Sequence, residues 1–128
     1  KAMEISDIAL LISILSLPCL TNTNKLYRTY TDLGYLSADR IRIVINRYLR
    51  NSDISVKDAE DSLNKRIFWT VPNDYRTSMT AINQGKPLHE VASKAPITRS
   101  IANMADELSK EEDTFFKKAK KPWWRFSN

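Results

Sequence analysis

Residues able to do covalent or metal chemistry are scarce in this chain. His89 is the only histidine and Cys19 the only cysteine among 128 residues. A Cys/His metal site or a Cys-His nucleophile pair would therefore rest on single residues. Cys19 permits no internal disulfide, which fits a reducing cytoplasm, and it is expected to act as a small buried hydrophobe. His89 has no Cys, His or paired carboxylate near it in sequence, and a surface or helix-capping place is expected for it. No Ser/His/Asp spacing suggests a nucleophile, so no catalytic residue is assigned. Glycine occurs twice, as Gly34 and Gly85, which excludes a glycine-rich phosphate cradle within these residues. What remains is recognition chemistry. The Asn46 amide can both donate to and accept from an adenine edge, and the Pro72 ring can stack flat on a purine. On chemistry alone the plainer roles stay open: Asn46 capping a turn and Pro72 ending a strand.

Both residues must be held by regular elements. Residues 8–14 form a continuous apolar run without strict alternation, which predicts a parallel strand covered on both faces. Ser16-Leu17-Pro18 then turns the chain. A helix is expected over residues 20–33, with apolar Leu26, Tyr27, Tyr30 and Leu33 at helical spacing and Gly34 at its stop. Residues 40–46 read as a second β-branched strand. Ser55, with Asp58 three residues on, predicts a capped helix that faces Ala59 and Leu63 inward. Residues 67–71 read as a third strand, stopped by Pro72. A helix over about 75–83, the turn Gln84-Gly85-Lys86-Pro87, and a last helix from Pro96 towards Lys110 complete the body. Ile97, Ile101, Met104 and Leu108 should face inward on that last helix. Glu60 and Asp61 lie among Lys57, Lys65 and Arg66, as on a solvated helix face. Strands alternating with helices predict an α/β fold of about three parallel strands with flanking helices. Ligands of such sheets bind beyond the carboxyl ends of the strands, where Asn46-Arg47-Tyr48 and Pro72-Asn73-Asp74 fall.

Charge separates a body from a tail. All 15 acidic residues and 15 of the 20 basic ones lie at or before Asp113, so the body nets zero and the +5 sits in residues 115–128. A body over residues 1–110 and a tail over 111–128 are expected. The tail holds Phe115, Phe116, Lys117, Lys118, Lys120, Lys121, Trp123, Trp124, Arg125 and Phe126, without an acid among residues 115–128. Aromatic rings favour a bilayer interface, and lysines near anionic headgroups each contribute roughly 1 kcal/mol. Pro122 breaks any helix before the two tryptophans, which favours a loop anchor over an amphipathic helix. A partner-docking peptide, single-strand nucleic-acid stacking and a solubilising end compete with the membrane role. The longest apolar run, residues 8–20, is too short and too broken to span a bilayer. The chain enters a core strand almost directly after Lys1-Ala2-Met3, so an upstream portion is expected.

In order, SDIALLISILSLPCLTNTNKL (6–26), IRIVINRY (41–48), VKDAEDSL (56–63), IFWTVPNDYRTSMTAINQGKPL (67–88) and ITRSIANMADEL (97–108) resemble the C-terminal half of MinD/ParA-like P-loop ATPases. The likeness is greatest to the CpaE/TadZ-type pilus-assembly branch and covers residues 2–108. It implies part of a three-layer P-loop fold whose three strands are neighbours, the first exposing an edge where the Walker A strand belongs. It also implies a deviant Walker A loop, two switch segments and a magnesium site in the complete protein, all upstream of residues 2–7. By the same resemblance Asn46 matches the base-reading asparagine, Arg47 its neighbour, and Pro72-Asn73-Asp74 the segment lining the adenine pocket. ATP and Mg²⁺ are the cofactors so implied for the complete protein; this half alone is expected to bind neither and not to hydrolyse ATP. The implied partners are a second copy in an ATP-dependent dimer, pilus or secretion machinery, and an anionic membrane surface. The implied place is cytoplasmic, peripheral to the inner membrane, and MinD-like proteins commonly end in a membrane-targeting segment. A non-catalytic scaffold is the competing outcome. A DNA-partitioning ATPase is disfavoured, because nonspecific DNA binding needs cations distributed over the body.

Overall fold

The computed structural model describes residue 2 and residues 5–119, with side-chain surroundings as far as residue 111. The tail residues from 112 to 128, with Pro122 and the aromatic positions assigned to it, lie outside the described side chains. Three parallel strands form one sheet in the order β1-β2-β3: β1 (Ala9–Ser13), β2 (Ile41–Tyr48) and β3 (Ile67–Pro72). The expected α/β arrangement of three neighbouring parallel strands with flanking helices is present.

Two helices cover one face. α1 (Leu17–Asp32) and α2 (Val56–Leu63) pack on Leu11, Ile41, Ile43 and Ile45, with Leu20, Ala59 and Leu63 closing the core. Ser55 caps α2 as expected: its hydroxyl accepts from the Asp58 N–H at 3.1 Å, and its own N–H donates to the Asp58 carboxylate at 3.0 Å. α1 differs from expectation at its start. Pro18 stands in its first turn, where a missing N–H costs nothing, so Ser16-Leu17-Pro18 opens the helix instead of turning the chain. Its buried positions are Leu20 and Thr23; Tyr27 and Tyr30 pack on the core, while Leu26 and Leu33 are exposed.

The other face is covered only in part. α3 (Tyr75–Gln84) leads through a short α4 (Leu88–Ala92), unforeseen in the sequence, to α5 (Pro96–Ala119), which continues past Lys110. His89 lies exposed on α4. Ile97 on α5 is buried with Val44 and Val71, and Phe68, Trp69 and Met104 pack around them. Arg42 pins the far part of α5, donating to Glu111 at 2.8 Å. Ile101 remains partly exposed although its spacing placed it inward. β1 is the larger departure. Its residues alternate between buried and exposed, and Leu10 and Ile12 face solvent at 36% and 57% exposure. An apolar run is a sign of two covered faces only when something covers both, and α5 does not reach over β1. Cys19 is half-buried, lining a hollow along that same edge of β1.

Candidate functional site at the strand carboxyl ends

The site begins where β2 departs from regular geometry. Arg47 takes a left-handed backbone (φ 53°), a conformation that disfavours a residue with a β-carbon. Asn46 supports it locally, its Oδ1 accepting from the Arg47 N–H at 2.9 Å. That bond fixes which end of the amide is oxygen. The Nδ2 donors and one oxygen lone pair stay available for another group.

β3 brings in the second half. Pro72 stands opposite Tyr48 in the parallel register, and the Asn73 N–H donates to the Tyr48 carbonyl at 3.0 Å. The last residues of both strands are thereby tied together. Asp74 then caps α3: its carboxylate accepts from the Thr77 N–H at 3.0 Å, and its carbonyl accepts from the Ser78 hydroxyl at 2.8 Å. The Thr77 hydroxyl and N–H hold the Asp74 carboxyl below the usual carboxylate range.

All five residues singled out in the sequence (Asn46, Arg47, Pro72, Asn73 and Asp74) line one hollow of about 440 Å³. Its volume is within the usual range for small-molecule sites. Asn46 and Pro72 are half-buried and Arg47 is exposed. Asn46 also borders a second hollow of about 500 Å³ along β1, so it stands in the wall between the two. The sequence did not single out the apolar rim formed by Leu49, Tyr75, Met79 and Ile82. Three of these follow helical spacing on α3, a signal that was present but normally marks a buried stripe. Among the described residues no group of His, Cys, Asp or Glu could hold a metal ion. The chemistry on offer is recognition of a flat, partly polar ring: an amide at its edge, a proline ring for its face, and apolar side chains around it.

Solved structures give this arrangement its place among known folds. A ParA family ATPase from Chlorobium tepidum matches over 77% of this chain and 41% of its own, at TM-score 0.72 and 23% identity. The cell division ATPase MinD of Pyrococcus furiosus matches over 82% of this chain and 43% of its own, at TM-score 0.68 and 25% identity. The chain has the MinD/ParA-like fold. The septum site-determining protein MinD of Pyrococcus horikoshii, solved with Mg-ADP, matches over 84% of this chain and 43% of its own, with TM-score 0.70 and 22% identity. The chain thus spans less than half the length of each of these structures. No family model matches the sequence, and no curated protein matches it.

Proposed function

We propose that this chain is the C-terminal half of a MinD/ParA-like ATPase and supplies the base side of its nucleotide site. One observation carries the proposal: the carboxyl ends of two parallel strands bring Asn46, Arg47, Pro72, Asn73 and Asp74 around a single hollow. In the complete protein the Asn46 amide reads the adenine edge and Pro72 packs on its face. The phosphates and Mg²⁺ belong to the upstream half, so no chemical step is assigned to these residues. By its CpaE/TadZ-like sequence the parent dimerises around ATP and positions pilus or secretion machinery at the inner membrane. The tail then serves as the membrane or partner attachment, with its cations drawn to anionic headgroups.

A second reading is a non-catalytic scaffold that keeps the fold for protein interaction. It is favoured by the local use of two site side chains, since Asn46 supports the Arg47 backbone and Asp74 caps α3. ATP affinity separates the two readings. Asn46→Ala in the complete protein should weaken ATP binding by about tenfold, as expected for one lost polar contact pair. Unchanged affinity would remove the base-reading role and leave the scaffold. For the tail, co-sedimentation with anionic liposomes should be lost when residues 115–128 are deleted; equal sedimentation would favour a protein partner.

A further inference from the structure

The hollow at the strand ends does not stop at the base-sized part. A neighbouring hollow of about 500 Å³ shares Ser78 and Ile82 with it and continues to the Gly85-Lys86-Pro87-Leu88 turn. The two form one furrow along the outer side of α3. Large apolar side chains stand exposed along it: Tyr75 at 68%, Ile82 at 69% and Leu49 at 49%. Three such residues around one concavity are more than scattered surface hydrophobes.

Cations outnumber carboxylates around the furrow, two to one. Arg47 lines one part and Lys86 the other, and neither side chain has a hydrogen bond or ion pair among the described residues. The only carboxylate lining it, Asp74, is already engaged by Thr77. Backbone groups offer no ladder to an extended peptide. α3 satisfies its own interior, and the Gly85 and Lys86 N–H groups close its end on the Ile82 and Ala81 carbonyls. Side chains alone must do the recognising, in a groove about as long as the ten-residue α3, or roughly 15 Å.

We propose that this furrow is a docking site for an acidic amphipathic helix of a partner protein. The helix lays apolar anchors at i, i+3 or i+4, and i+7 against Tyr75, Ile82 and Leu88, and turns carboxylates towards Arg47 and Lys86. The helix shares Arg47 and Tyr75 with the base-sized hollow, so Ile82 and Lys86, which the base reading does not use, separate the two.

The test uses the whole 128-residue chain and a synthetic helical peptide with leucines at those spacings and glutamates elsewhere, followed by amide NMR. Saturable shifts are expected at Tyr75, Ser78, Ile82 and Lys86, with binding about tenfold or more weaker for the same peptide carrying lysines in place of the glutamates. Ile82→Glu should abolish those shifts; Ile82 is exposed, so the fold should survive. Lys86→Glu should weaken the glutamate peptide and strengthen the lysine peptide, a reversal that simple loss of structure would not produce. Equal binding of both peptides, shifts centred on Leu10 and Ile12, or no shifts at all would overturn the proposal. So would α3 shifts produced by phosphatidylglycerol vesicles and not by the peptide, which would make the furrow a membrane surface.

Discussion

β1 and β3 are the two border strands of the sheet, and they are finished differently. β3 has the devices of a strand that ends a sheet. Its pairing with β2 is interrupted by an irregularity at Phe68, which twists an edge away from regular pairing. The Ile67 N–H donates to the Glu60 carboxylate at 2.9 Å, and the Thr70 carbonyl accepts from the Ser100 hydroxyl at 3.3 Å. Trp69 donates to the same hydroxyl at 3.0 Å, fastening the strand to α5. β1 has none of these devices among the described residues. It pairs with β2 in unbroken register and leaves Leu10 and Ile12 bare beside an open hollow. An edge built for solvent is capped, bulged or charged; β1 has the character of an interior strand. The contrast fits the proposal made above, that this chain is one half of a MinD/ParA-like ATPase.

The contrast can be broken by mutation. Trp69→Ala should cost about 2 kcal/mol by chemical denaturation, since a half-buried ring and its hydrogen bond are both lost. Ile12→Lys should stay within about 0.5 kcal/mol, because its side chain is mostly in water already. Similar costs at both positions would erase the distinction. Ile12→Lys should also reduce any self-association seen by sedimentation velocity. Glu60→Ala uncovers the Ile67 N–H and should cost about 1 kcal/mol, whereas Glu60→Gln keeps an acceptor and should cost less.

Acid should act through the helix caps next. The Ser55 hydroxyl and N–H hold the Asp58 carboxyl low, and the Thr77 hydroxyl and N–H do the same for Asp74. A carboxyl with a depressed folded-state pKa contributes stability above its ordinary range and loses it as pH falls, here below about pH 4. Thermal melts across that window should show a shallower decline for Asp58→Asn than for the native chain. The smallest effect is expected at the exposed Lys57–Asp61 pair, 3.7 Å apart one helical turn along α2. Lys57→Ala should change stability by no more than about 0.5 kcal/mol.

Local signals in the sequence were legible, and non-local ones were not. Ser55 and Asp58 lie three residues apart, and their capping box formed as expected. The three strands and the placing of Asn46 and Pro72 at their ends also followed from pattern and resemblance. Leu10 and Ile12 are exposed although the run reads as doubly covered, because the pattern records what a strand is suited to, and among the described residues nothing covers that face of β1. Glu60 looked like one more solvated charge; its bond to Ile67 spans seven residues and a turn. Nothing in the order Asn46-Arg47 announces a left-handed residue, since the side-chain bond that supports it competes with ordinary strand geometry. Tyr75, Met79 and Ile82 kept helical spacing but line an open furrow instead of a core.

The base-recognition proposal is most directly tested by titrating adenosine into the complete protein and following the backbone amides of the site residues by NMR. Adenosine carries no phosphates, so the contacts it makes are those of the base side alone. The expected result is a saturable set of shifts at Asn46, Arg47, Asn73 and Tyr75, lost in Asn46→Ala while the remaining spectrum is kept. Shifts centred on the β1 hollow, or none up to the solubility of adenosine, would contradict it.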